Sequence, residues 1–287
     1  MAYFYYICIL ILTLFRCMSK GKILFISQEI SPYLPSTHAS DLGRKIPQAM
    51  QEKGFEVRTF MPRYGVINER RNQLHEVIRL SGMNIVIDDN DHPLIIKVAS
   101  LQPSRMQVYF IDSDDYFHRS ASTSPGLETQ SSPEDNDERS MFYARGVLET
   151  VKKLRWEPAV VQCSGWITAL VPLYLKKLYA EDPSFRAAKV VLSLGSDTLP
   201  ASFDQRFMEK LKMDGFAEED LAPINNNPAD IKALTGLALR YADAVVQSEP
   251  DVDPELIQMA KDSGKPFLPF PDNDFAVYAD FYASVLG

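Results

Sequence analysis

The stretch that decides the fold runs Lys22-Ile23-Leu24-Phe25-Ile26-Ser27, then Leu42 to Lys53, then Gly54, then Phe55-Glu56-Val57-Arg58-Thr59-Phe60. The first segment is a short apolar run entered from a Gly/Lys flank, the pattern of a strand buried on both faces. A loop with Pro32 and Pro35 follows. Asp41 is placed to cap a helix from Leu42 to Lys53, whose apolar Ile46, Ala49 and Met50 recur at three-to-four spacing. Gly54 closes that helix, and Phe55 to Phe60 reads as the next strand. Strand, helix, glycine, strand is a βαβ unit. Its crossover makes the strands parallel and lays helices over the sheet faces.

Working outward, Asn84 to Asp88 and Leu94 to Ser100 read as an antiparallel excursion around the polar turn Asp89-Asn90-Asp91-His92-Pro93. Gln107 to Ile111 returns to the sheet. Residues 119–134, RSASTSPGLETQSSPE, are aperiodic and rich in Ser, Thr and Pro, the composition of a mobile loop. An amphipathic helix is expected from Glu138 to Leu154, a strand over Ala159 to Cys163 and a helix over Trp166 to Tyr179. Lys189 to Leu194 and Ala244 to Gln247 read as further strands, with helices near Phe203–Met213 and Ile231–Ala242. The expectation is an α/β fold, a Rossmann-like parallel sheet of six or seven strands with helices on both faces. One domain would cover residues 18–270, with a C-terminal helix in 271–287 docked back on it.

With 46% hydrophobic and 24% charged residues in 287, the composition is that of a globular domain. A net charge of −8 argues against a protein that tracks a nucleic-acid backbone, which needs a basic face. Cys8, Cys17 and Cys163 share no metal-ligand spacing, which suits a reducing, cytoplasmic setting. The apolar residues 1–17 lack a basic n-region and a small-residue cleavage site. They read as an upstream start with Met18 opening the protein, or as a membrane anchor if they are retained.

Several segments, in order, resemble the N-terminal catalytic domain of glycogen and starch synthases. They are KILFISQEISPY (22–33), IPQAMQEKGFEVRTFMPRYGVI (46–67), VYFIDSDDYFHR (108–119), DNDERSMFYARGVLETVKKLRWEPAVVQC (135–163), GWITALVPLYLK (165–176) and, more weakly, LALRYADAVVQSEP (237–250). The resemblance implies one N-terminal half of a GT-B fold, with an α-glucan acceptor cleft on this domain and a nucleotide-sugar site mainly on a second Rossmann domain. About 35 residues follow the last matching strand, where a second such domain takes roughly 150–200. The expectation is therefore that a donor-binding domain is missing or lies on a separate partner chain.

Glucosyl transfer from a nucleotide sugar needs cationic or backbone donors on the departing diphosphate. The family supplies a Lys-Thr-Gly-Gly-Leu loop after the first strand, an Asp-Trp-His element and an Ile-His-Asn element. Here Pro35 falls at the lysine and Thr37-His38 at the glycines, while Asp41 remains. Gly165 falls at the aspartate, Ile167 at the histidine, and Gly195-Ser196 at the His-Asn pair. No residue is left to nominate as catalytic.

The candidate ligand-cleft residues are Glu29, His38, Asp41, Trp166 and Ser196. Four of them have a structural alternative: Glu29 as a strand-end packing residue, His38 as a surface-loop side chain, Asp41 as the helix cap and Trp166 as core. His118 reads as structural, and Cys163, at a strand end with no His or Asp signature beside it, as an inert thiol. The acidic runs Asp112–Asp115 and Glu134–Glu138 read as solvated rather than as metal ligands. No cofactor, metal or nucleic acid is expected. These residues imply a synthase-related protein that is inactive alone and acts as a glucan-binding or regulatory partner. An active transferase in shortened or two-chain form, and a Rossmann-type binder of another small molecule, remain open alternatives.

Overall fold

The computed structural model describes residues 21–118, 135–196, 199, 203–225 and 229–287. The expectations for residues 1–17 and 119–134 lie outside the described residues.

β1 (Lys22–Ser27) leads through helix α1 (His38–Glu52) to β2 (Glu56–Pro62), and the two strands pair in parallel. The short helix α2 (Glu69–Asn72) and β3 (His75–Glu76) follow. β4 (Met83–Ile87) and β5 (Asn90–Leu101) form an antiparallel pair, and β6 (Met106–Asp112) lies antiparallel to β5 but parallel to β2. Helix α3 (Asn136–Lys153) then carries the chain to β7 (Val160–Ser164), which pairs with β1 on the side away from β2. Helix α4 (Val171–Lys177), β8 (Lys189–Leu194), α5 (Phe207–Met213), α6 (Ile231–Tyr241), β9 (Ala244–Gln247), α7 (Pro254–Asp262), β10 (Phe267–Leu268) and α8 (Ala276–Leu286) complete the chain. The sheet order is β10-β9-β8-β7-β1-β2-β6-β5-β3, with β4 beside β5. β1 is therefore the strand from which the chain winds first one way and then the other, the topology that opens a crevice at the strands' C-terminal ends.

Among the described residues the sheet has ten strands rather than six or seven. The additions include the two-residue strands β3 and β10, too short to show any period in sequence. The segment expected as one helix from Trp166 is a single 3₁₀ turn, Trp166–Thr168, followed by α4 from Val171. Pro172 explains the restart, since it is favoured in a first helical turn but breaks a helix interior. The helix expected near Phe203 begins at Phe207.

Helices lie on both faces. The larger core joins α3, α4, α5 and α6 to one face through residues such as Leu24, Ile26, Phe142 and Leu148. The other face presents Ile23, Phe25, Val160, Val191, Ala244 and Val246 to α1 and α8. Among the described residues, no helix is long and apolar enough to cross a membrane.

Candidate functional site

On the face covered by α1 and α8, the strands change character toward their C-terminal ends. Apolar Phe25, Val160 and Val191 give way to Ser27, Ser164 and Ser193, which stand side by side across β1, β7 and β8. Side chains two apart share a face, so the polar ends continue the apolar floor beyond the helices. An open cleft forms there, bounded by α1 at Ala39, Gly43 and Pro47 and by the ends of β1, β7, β8 and β9. It holds about 470 Å³ counting its open mouth.

Two glycines make the cleft possible. A Cβ on Gly43 would stand 2.4 Å from the Glu29 carbonyl oxygen, so only glycine lets α1 approach the end of β1 so closely. Gly165 has φ 93° and ψ 151°, a region of backbone space that is essentially glycine-only, and a Cβ there would stand 2.4 Å from Gln28 Cβ. Gln28 thus fills the space that a side chain at position 165 would need. Its backbone is fixed at both ends: its N–H donates to the Ser164 carbonyl at 3.0 Å, and its carbonyl accepts from Tyr64 Oη at 3.0 Å. Its side chain is 9% exposed, and Oε1 has no hydrogen-bond partner among the described residues. A buried acceptor without a donor costs roughly 1–3 kcal/mol.

The charge in the cleft is acidic. Glu29 and Glu249 line it, and no Lys, Arg or His is among its described lining residues. Glu249, itself buried, accepts from the Ser196 backbone N–H at 3.2 Å and from Ser196 Oγ. Glu29 accepts from Thr37 Oγ1 at 2.5 Å.

Of the residues nominated from sequence, Glu29 lines the cleft and Ser196 reaches it through Glu249. Asp41 is not the cap of α1. Thr37 is: its side chain accepts from the Ser40 N–H, and Ser40 reciprocates to the Thr37 N–H, so the helix starts at His38. The Thr-x-x-Ser spacing was a weaker signal than an aspartate before an apolar run, because capping boxes are recognised by Glu or Gln at the third position. Asp41 sits in the first turn, where burial raises its pKa. Hydrogen bonds from Lys45, Ser36 and Ser31, with the Lys45 charge, outweigh that and hold its carboxyl below the usual range. His38 is exposed, with its ring 6.4 Å from that of Phe270. Trp166 is 5% exposed and packs edge-on against Phe203, in a separate apolar slot that shares Gly165 and Gly195 with the cleft. Gln28, Gln162 and Glu249 were not legible as site residues, since nothing in a lone glutamine or a Ser-Glu-Pro run marks a cleft.

The acidic runs are not fully solvated. Asp112 takes Lys97 Nζ at 2.7 Å, and Asp137 and Glu138 each take Lys210 Nζ at 2.7 Å, with Asp112, Asp137 and Lys210 buried. Each cation comes from a different element, β5 for Asp112 and α5 for Asp137 and Glu138, which is why local composition misread them. His118 is exposed and pairs with Asp114 at 2.8 Å. Burial alone pushes the Cys163 thiol well above the cysteine range. Among the described residues, no group of three His, Cys, Asp or Glu side chains is placed to hold a metal.

Residues 22–264 match the family described as the starch synthase catalytic domain. The chain is 32% identical over 238 residues to glycogen synthase of Chlorobium chlorochromatii (strain CaD3), covering 81% of this chain and 48% of that protein. It is 33% identical over 244 residues to glycogen synthase of Chlorobaculum tepidum, covering 82% and 48%. It thus spans about half the length of the curated relatives it matches. In structure it resembles the catalytic domain of starch synthase IV from Arabidopsis thaliana bound to ADP and acarbose, with a TM-score of 0.66 at 17% identity, over 87% of this chain and 51% of that one. That likeness is one of fold, the GT-B arrangement.

Proposed function

The chain belongs to the starch synthase catalytic-domain family, and from that premise we propose that its cleft binds an α-glucan without transferring glucose from a nucleotide sugar on its own. The observation that carries this reading is the absence of any cation among the described residues lining a cleft that holds two carboxylates. A diphosphate beside Glu29 and Glu249 would meet like charge in a partly dry site, and such pairs disfavour the charged forms. A neutral sugar meets no such cost.

The start of α1 adds to the argument. A free helix N-terminus attracts phosphate through its exposed N–H groups and its dipole. Here Thr37 caps one of those groups, and the Asp41 carboxylate already lies in the first turn. The negative charge that this helix end favours is therefore supplied by the chain itself. A polyol suits what remains, because each hydroxyl both donates and accepts, and Ser27, Ser164, Ser193 and Ser248 line the cleft beside the two carboxylates. The protein then acts as a glucan-binding or regulatory member of a glycosyltransferase family, alone or beside a donor-binding partner.

Isothermal titration with maltooligosaccharides and with ADP-glucose tests both halves of the reading. Saturable heat is expected for the glucan and none for the nucleotide sugar, and labelled ADP-glucose with glycogen should yield no labelled polymer. Incorporation by the purified protein alone would sink the proposal.

A further inference from the structure

Gln162 lies in β7, two residues after Val160 on the face shared by α1 and α8, and it lines the cleft. Its Oε1 accepts a hydrogen bond from the hydroxyl of Tyr282, which stands on α8 and is wholly buried. The Tyr282 ring packs edge-on against Phe25 at 6.4 Å and tilted against Tyr278 at 6.1 Å. In those apolar surroundings the hydroxyl has one acceptor among the described residues, and an unmet buried donor is costly.

That bond decides which way round the amide stands. A tyrosine hydroxyl has a single proton, and a glutamine carries two donors at one end and an acceptor at the other. With Oε1 held by Tyr282, the Nε2 group is the end left to the cleft that Gln162 lines. Gln28 offers the opposite: an unpartnered acceptor. Gln28 stands one residue past the end of β1, and both amides line the same cleft.

We infer that Tyr282 is a positioning residue for the glucan cleft: by fixing the Gln162 amide it presents a donor to the ligand, and so makes the C-terminal helix part of the binding site. This rests on the glucan reading of the cleft.

Maltotetraose titration of the full chain and its Tyr282→Phe, Gln162→Glu and Gln162→Leu variants provides the test, with Tm measured for each. Tyr282→Phe frees the amide to turn over and is expected to weaken binding about three- to tenfold, the span of one lost hydrogen bond. Gln162→Glu keeps an acceptor for Tyr282 but replaces the cleft donor with a charge. It is expected to lower affinity more than tenfold while holding its Tm better than Gln162→Leu, which strands the Tyr282 hydroxyl. A purely structural role would lower Tm in all three variants without this separation. Unchanged affinity in folded Tyr282→Phe would overturn the inference. If the parent protein binds no maltotetraose, the glucan reading fails, and the Gln162 side-chain amide in the free protein decides the Tyr282 assignment. Its NMR protons should exchange with water in the parent protein and change shift in Tyr282→Phe. Protected, unshifted protons would refute the positioning role.

Discussion

At Gly165 the family resemblance implies an aspartate, and the backbone there stands at φ 93° and ψ 151° against the side chain of Gln28. Replacing Gly165 with Asp is therefore expected to destabilise the fold by about 2–4 kcal/mol, from backbone strain and overpacking, without conferring activity. Urea denaturation with a glucosyl-transfer assay checks this, and a stable, active variant would refute it. Lys210 is the second residue with a sharp expectation. Burial lowers its pKa, but hydrogen bonds and charge from Asp137 and Glu138 outweigh that and hold it above the lysine range. A group raised on folding contributes stability that is complete below its unfolded pKa, about 10.4 for lysine, and is lost as pH rises through the folded value. The difference in denaturation midpoint between the parent protein and a Lys210 variant should shrink in that alkaline window. Lys210→Met leaves Asp137 buried without its cation and should cost about 3–5 kcal/mol at neutral pH.

At the scale of elements, α1 and α8 matter most, because together they cover the sheet face that ends in the cleft. The start of α1 depends on Thr37, so Thr37→Ala should cost about 1 kcal/mol in a chemical melt. The same change releases the Glu29 carboxylate from one of its contacts. Helix α8 buries Tyr278 and Tyr282 against Phe25 and its neighbours. Truncation after Phe275 should expose that face and raise binding of a hydrophobic dye, with loss of cooperative unfolding if α8 is integral. The existence of α1 and α8 was readable from their apolar content, and strands β1, β8 and β9 were readable to the residue. The cap of α1, the broken helix after Gly165 and the strands β3 and β10 were not. Each is set by one side chain or by a pairing two residues long, below what periodicity resolves.

For the whole molecule, a cleft that recognises a neutral ligand through dipoles should be nearly blind to salt. Maltooligosaccharide affinity is expected to change by less than about twofold between 50 and 500 mM salt, whereas a phosphate site would weaken steeply as its charges are screened. A strong salt dependence measured by titration would point back to an anionic ligand. The sequence by itself determined the α/β class, the parallel core of the sheet and the family, because apolar runs, a βαβ unit and six ordered matching segments survive in a one-dimensional reading. Through the family resemblance it also pointed to the loops after β1, β7 and β8 as places where this chain departs from the family's motifs. Only the tertiary structure decided what stands there instead. Gln28 fills the space over Gly165, Glu249 meets Ser196, and Tyr282 turns the Gln162 amide across 120 residues of chain. Those contacts join strand ends and helices far apart in sequence, and no local pattern encodes which polar atoms a fold will leave facing a cleft.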